Sequence, residues 1–174
     1  MSEKIPAWVD GILKPVDKLE VHKKGYEHKA ISIFIFYKDE ILLQQRAMNK
    51  YHTPGLWTNT CCTHPKWNEE SNVCAKRRLI EELGISECNL KFKNKIRYRA
   101  EVGNNLIENE VVDIFISKIE NKEKFKININ KEEVMKIKWE KINVIKNEII
   151  DFPANYTPWF KIYLTKFANK ILFN

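Results

Sequence analysis

The alternation of apolar and polar positions divides most of the chain into strands and helices. Ala30-Ile31-Ser32-Ile33-Phe34-Ile35-Phe36-Tyr37 is rich in β-branched and aromatic residues, as a strand covered on both faces requires. Lys38-Asp39-Glu40 supplies a turn and Ile41 to Arg46 follows, which predicts a hairpin with a central first strand. From Glu69 to Leu83 the period changes: Ala75, Leu79 and Leu83 recur at helical spacing with Ile80, and Gly84 stands where a C-cap belongs. Asn68 is the candidate N-cap, and Glu69-Glu70 suit the positive end of the helix dipole. Leu90 to Val102 and Leu106 to Ile119 read as long strands on either side of Gly103-Asn104-Asn105. Val134 to Glu140 predicts another strand, and Ile142 to Ile149 a short helix ended by Asp151-Phe152-Pro153. Trp159, Ile162, Tyr163, Phe167 and Ile171 outline an amphipathic C-terminal helix with Pro158 near its start, suited to packing on the sheet. Residues 1–28 are weakly patterned. Trp8 to Leu13 reads as a strand with a turn in it. His22 and His28, six apart, fit neither one helix face nor a tight chelate, and read as loop residues.

Composition narrows the classes. At 174 residues the chain is long enough for one domain with a real core, and no repeat, low-complexity linker or second domain is visible. A formal charge of +7 points to an anionic partner: nucleic acid, a membrane surface or a phosphorylated small molecule. The lysines are dispersed and no nucleic-acid-binding motif is present, which disfavours the first. No leader and no apolar run near the length of a membrane span are visible. Cysteines at 61, 62, 74 and 88 predict reduced thiols in a cytoplasmic compartment, with no zinc-finger spacing among them.

Two stretches carry candidate chemistry. In Trp57-Thr58-Asn59-Thr60-Cys61-Cys62-Thr63-His64-Pro65, extended backbone turns Cys62 and His64 to one side and Cys61 and Thr63 to the other. A buried cysteine beside a surface histidine is the ordinary reading of such a pair; a proton carrier beside a metal ligand is the functional one. Glu108 and Glu110 share a face of the second long strand, roughly 7 Å apart at about 3.4 Å per residue. Solvated at an exposed strand end they need no partner; entering a buried strand, they need a cation.

Arg77-Arg78-Leu79-Ile80-Glu81-Glu82-Leu83-Gly84-Ile85 resembles the Nudix box, whose helical glutamates hold a divalent cation on a diphosphate. Where Nudix hydrolases carry a glutamate after the first arginine, this chain has Arg78, which grips phosphate but cannot ligate metal. Taken with Thr58 to Pro65, Arg97-Tyr98-Arg99-Ala100, Glu108-Asn109-Glu110-Val111 and Pro158-Trp159, all in order, the chain resembles the type I isopentenyl-diphosphate Δ-isomerases from about His22 to Trp159. The first twenty residues and 120–156 match less well.

That resemblance implies an α/β sandwich, with a mixed, mainly antiparallel Nudix-like sheet flanked by helices. It implies a single domain over 1–174, with a Nudix-like core at about 26–162 and the N-terminal segment completing a metal site. The implied reaction interconverts isopentenyl and dimethylallyl diphosphate by protonation and deprotonation through a tertiary carbocation. Cys62 and Glu110 are the implied proton-transfer groups, assisted by Tyr98. His22, His28, His64, Glu108 and Glu110 are the implied ligands of one divalent metal, whether Mn²⁺, Zn²⁺ or Mg²⁺. Glu82, with the Cys62 carbonyl, is implied to hold Mg²⁺ on the diphosphate, and Lys18, Arg46, Lys50 and Arg78 to bind its phosphates. Trp159 is either a cation–π partner of the carbocation, a core anchor, or both. His52 is left over as a loop residue. The expected partner is a small isoprenoid diphosphate, with no nucleic acid and no membrane, and a monomer is the expectation. A Nudix-type diphosphate hydrolase is the alternative.

Overall fold

The computed structural model describes residues 3–172, and its N-terminus is more regular than the hydropathy pattern suggests. β1 (Lys4–Val9) and β2 (Ile12–Asp17) form an antiparallel hairpin closed at Val9 and Ile12. The two connecting residues, Asp10 and Gly11, have φ of 52° and 76°, the left-handed pair that a two-residue hairpin turn demands. Asp17 then caps α1 (Lys18–Lys24): its Oδ1 accepts from the Leu19 and Glu20 N–H groups at 3.0 and 3.1 Å. Gly25 ends α1 and the chain turns into β3 (His28–Tyr37). His22 and His28 are therefore not loop residues. One is in the last turn of α1 and the other opens β3, so their spacing spans two elements and obeys neither period.

β3 is the strand on which the others are arranged. It pairs with β4 (Glu40–Arg46) only at Phe36–Ile41 and Tyr37–Glu40, so the expected hairpin splays apart beyond its turn. One edge of β3 is then taken by the short β6 (Cys61–Thr63), antiparallel across Ile31 to Ile33. The other edge is taken by β8 (Ile107–Lys118), parallel from His28–Glu110 to Phe36–Lys118. β4 pairs with β9 (Val134–Lys141) and with β5 (Trp57–Thr58), and β7 (Lys91–Glu101) lies antiparallel on β8. The β3–β8 pair makes the sheet mixed; its other pairings are antiparallel.

Both faces of β3 are covered, which explains its unbroken apolar run. Ile31, Ile33 and Ile35, with Leu42 and Cys61, pack under Cys74, Ala75, Leu79 and Leu83 of α2 (Ser71–Leu83). Phe34 and Phe36 pack on the opposite side with α3 (Ile142–Asp151), α4 (Pro158–Lys166) and α5 (Ala168–Ile171). Each large side chain so buried contributes roughly 1.5–3 kcal/mol. Two helix boundaries differ from the sequence reading. Asn68 is a turn residue at φ 63°, and the N-cap is Glu70, with no side-chain cap. The C-terminal helix breaks at Phe167, where φ is −120°.

The irregular segment 119–133 closes the end of α2. The Asn128 and Asn130 N–H groups bond the Leu83 and Glu82 carbonyls at 2.8 and 2.9 Å, satisfying groups a helix end leaves open. Gly84 makes this approach possible: a Cβ there would lie 2.7 Å from the Asn128 carbonyl oxygen. Among the described residues no helix is long and apolar enough to cross a membrane.

Candidate active site

Toward its N-terminal end, the α4-facing side of β3 changes from phenylalanine to His28, Ala30 and Ser32. β6 brings Cys62 beside Ser32 from one edge, and β8 brings Glu110 beside His28 from the other. Two-residue alternation adds His64 and Glu108 to the same face, while Cys61 turns away into the α2 core. Cys62, His64, Glu108, Glu110 and Trp159 line one cavity of about 60 Å³.

Behind it lies a cluster of donors without enough protons. Nδ1 of His22 donates to the Lys18 carbonyl at 2.6 Å, and Nδ1 of His28 to the Tyr26 carbonyl at 2.8 Å. A neutral ring bonded this way carries a bare lone pair on Nε2. His28 Nε2 lies 3.2 Å from His64 Nε2 and 3.6 Å from Glu110 Oε1, and His64 Nε2 lies 2.9 Å from that same oxygen. His22 Nε2 is buried with no hydrogen-bond partner among the described residues. Ligand atoms of His22, His28 and His64 all lie within 4.8 Å of one another. Tyr98 sits between the two carboxylates, its hydroxyl 2.7 Å from Oε2 of Glu108 and of Glu110. One phenol proton serves only one of them, and both Oε1 atoms turn toward histidine nitrogens. Buried imidazole lone pairs converging with carboxylates fit a divalent cation.

The electrostatics of the protein alone agree. Burial, and then the charge of Glu110, push Glu108 well above the ordinary carboxylate range. Burial acts on Glu110 in the same direction, but the close approach of His28 and the hydrogen bond with His64 hold it below that range. Burial lowers His22 to about 4 and drives His64 well below its usual value despite the Glu110 hydrogen bond. Burial, with the charges of Glu110 and Glu108, pushes the Cys62 thiol and the Tyr98 phenol upward, so both are held protonated.

The cationic rim is already engaged. Lys18 pairs with Glu3 at 3.3 Å. Arg46 donates to the Thr53 and His52 carbonyls at 3.2 and 3.1 Å and lies 5.3 Å from the centre of the Trp159 ring. Lys50 pairs with Glu133. Arg78 bonds Glu82 at 2.6 Å and Glu133 at 3.2 Å, and Gln44 donates to Glu82 at 3.0 Å. All four cations, Glu82 and Glu133 border the cavity. Trp159 is fully buried, its Nε1 donating to Thr58 Oγ1 at 2.8 Å. It is thus a core anchor that also borders the cavity.

Every candidate site residue named from the sequence borders this cavity or the histidine–glutamate cluster behind it, but the sequence reading missed five others. Ser32 Oγ lies 3.0 Å from both Cys62 Sγ and Tyr163 Oη. Ser32 was detectable as the one hydroxyl interrupting the inward positions of a central strand. Tyr163 hid in the apolar stripe of the last helix. Glu133 and Gln44 are polar residues without any local signal. His52 lies in a loop as read, but it is buried there, 4% exposed, with Nε2 3.8 Å from Glu108 Oε1.

A family model described as NUDIX domain matches residues 26–160. An isopentenyl-diphosphate Delta-isomerase of Jannaschia sp. (strain CCS1) is 49% identical over 171 residues, covering 98% of this chain and 96% of the relative. The protein of that name from Ruegeria pomeroyi is 49% identical over 167 residues, covering 96% of this chain and 92% of its own. Among solved structures, DR0079 from Deinococcus radiodurans superimposes with a TM-score of 0.73 at 8% identity, covering 93% of this chain and 97% of that one. A MutT protein from Methanosarcina mazei Go1 does so with a TM-score of 0.64 at 14% identity, covering 83% and 94%. At such identities the two structures speak for the fold alone.

Proposed function

The chain belongs to the NUDIX family and, within it, to the isopentenyl-diphosphate Delta-isomerases, and from that premise we propose how its own residues perform the interconversion of isopentenyl and dimethylallyl diphosphate in isoprenoid biosynthesis. The observation that carries the proposal is that Cys62 and Glu110 reach one cavity from opposite edges of β3. Moving the double bond requires a proton added at one carbon and another removed from the allylic carbon. An alkene is a very weak base, so both groups must be positioned and water excluded. Glu110 and Cys62 are the two proton carriers, and the tertiary cation lies between them. Tyr98, hydrogen-bonded to Glu110, holds that carboxylate in place and shares its proton. Ser32 and Tyr163 orient the Cys62 thiol. Trp159 offers its ring to the cation, a contact worth about 2 kcal/mol when desolvated.

His22, His28, His64, Glu108 and Glu110 would hold a divalent cation, Mn²⁺, Zn²⁺ or Mg²⁺. Bound there, it offsets the two carboxylate charges and makes a protonated Glu110 a stronger acid. Glu82 and the Cys62 carbonyl would hold Mg²⁺ brought with the diphosphate, and Lys18, Arg46, Lys50 and Arg78 would exchange their present carboxylate or carbonyl partners for phosphate oxygens. The proposal includes a monomer acting on this small diphosphate in the cytoplasm, consistent with the free thiols of all four cysteines. Hydrolysis, the alternative, is disfavoured by Arg78, which neutralises Glu82 where Nudix hydrolases carry a further glutamate. Isopentenyl diphosphate incubated with the protein in D₂O is expected to give deuterated dimethylallyl diphosphate. Phosphate release without isomer would overturn the reading.

A further inference from the structure

We propose that His52 is a fourth imidazole donor of the histidine–glutamate centre, ligating the same divalent ion through Nε2. The inference rests on the metal reading above and extends it to a residue outside the expected ligand set. His52 belongs to the connection between β4 and β5, yet its ring is turned inward and covered. Arg46 fixes the backbone there by bonding the carbonyls of both His52 and Thr53. On the ring, Nδ1 lies 3.1 Å from the Thr53 hydroxyl, which leaves Nε2 to face Glu108. The 3.8 Å from Nε2 to Glu108 Oε1 is too long for a hydrogen bond. It suits two ligands of one ion: with bonds of about 2.1 Å, neighbouring donors stand about 3.0 Å apart and opposed donors about 4.2 Å. The separations among His28, His64 and Glu110, 2.9 to 3.6 Å, fall in or beside the same window. Ligand atoms of His22, His52 and Glu108 also lie within 4.8 Å of one another. His22 belongs to this group and to the His22–His28–His64 group, and its buried Nε2 is unpartnered among the described residues. His22 is the member through which the two groups would join in one centre. A set of four imidazoles and two carboxylates favours borderline ions such as Zn²⁺ and Co²⁺ over Mg²⁺.

Chelated protein and its H52F and H52A variants would be titrated with Co²⁺ and with Zn²⁺ against a chromophoric chelator. Imidazole nitrogens would be counted by pulsed electron paramagnetic resonance of the Cu²⁺-loaded forms. H52F keeps a ring against Trp159 and Tyr51, which His52 contacts edge-on, and removes only the donor. Both variants are expected to bind Co²⁺ and Zn²⁺ at least about tenfold more weakly, to lose preference over Mg²⁺, and to count one imidazole fewer. Unchanged affinity and count in H52F would overturn the proposal. So would a lowered melting temperature with the same count, which would make His52 a structural wall. If the unsubstituted protein binds none of these ions, the metal reading itself fails along with it.

Discussion

The buried histidines set a pH dependence that can be worked out before any measurement. In the chelated protein, burial lowers His22 to about 4 and His52 to about 3, and carries His64 well below its usual value. Unfolded, each titrates near 6.5. At pH 5.5 His22 and His52 therefore each bind about 0.9 proton when unfolded and almost none when folded, so the two together favour unfolding by about 1.8 protons, and His64 acts in the same direction. These are bases with depressed folded values, and the stability they allow above pH 6.5 is lost as the pH falls. Glu108 has the opposite sign. Its folded value is raised, so it stabilises the fold at low pH and ceases to as the pH rises, working against the histidines. The 1.8 or so protons of His22 and His52, at about 1.36 kcal/mol per pH unit each, give a slope of about 2.4 kcal/mol per pH unit, to which His64 adds and from which Glu108 subtracts. Against a typical total of about 5–15 kcal/mol, two units of acidification consume a large share. Glu69, lowered to about 2, acts below this window. Urea unfolding of chelated protein at pH 5, 5.5 and 6, followed by tryptophan fluorescence, measures the slope. H52F should flatten it by about 1.2 kcal/mol per unit and Glu108→Gln should steepen it. A slope of about 0.5 or less, or one that neither variant moves, would refute the reasoning.

Three further outcomes follow from the same contacts. Cys62→Ala and Glu110→Gln should each lower kcat by about 10²–10⁴-fold, as loss of a general acid or base does, with circular dichroism unchanged; near-native turnover in either would remove that residue's role. Tyr98→Phe deletes a hydrogen bond to a carboxylate worth about 1.5–3 kcal/mol, and kcat for isomerisation should fall about 10–150-fold with little change in KM. Arg78→Ala leaves Glu82, 4% exposed, with the Gln44 amide as its remaining hydrogen-bond donor among the described residues. Breaking that pair should cost about 3 kcal/mol, or roughly 6–12 °C in Tm by calorimetry for a chain of this size.

The strands and helices that bury apolar residues at a regular period were legible in the sequence, as was the grouping of Cys62 with His64 and of Glu108 with Glu110. These groupings need only the two-residue alternation of a strand. What was not legible depends on contacts between elements. His22 and His28 looked like loop residues because a helix end and a strand start meet at Gly25. Asp10-Gly11 did carry a hairpin signal, but the flanking strands, each interrupted by a proline, lack alternation. His52 and Glu133 gain meaning only from tertiary folding. The first is drawn inward by Arg46; the second is delivered to Lys50 and Arg78 by the segment that caps α2.

The pair Cys61-Cys62 poses a problem that the residues before it solve. A strand of three residues has little pairing to fix its register, and a slip of one would exchange the thiol facing the cavity for the thiol facing α2. Asn59 and Thr60 prevent it from inside the core. Asn59 Nδ2 donates to the Ile33 carbonyl at 3.1 Å and to the Cys61 carbonyl at 2.9 Å. Thr60 Oγ1 accepts from the Ile35 N–H at 2.9 Å and donates to the Leu42 carbonyl at 2.7 Å. A slipped strand would leave these buried backbone groups unsatisfied, at about 1–3 kcal/mol each, far more than a three-residue strand could recover by re-pairing. The polar run ahead of the thiol is thus a register lock, and it makes Cys62, rather than its chemically identical neighbour, the sulfur opposite Glu110.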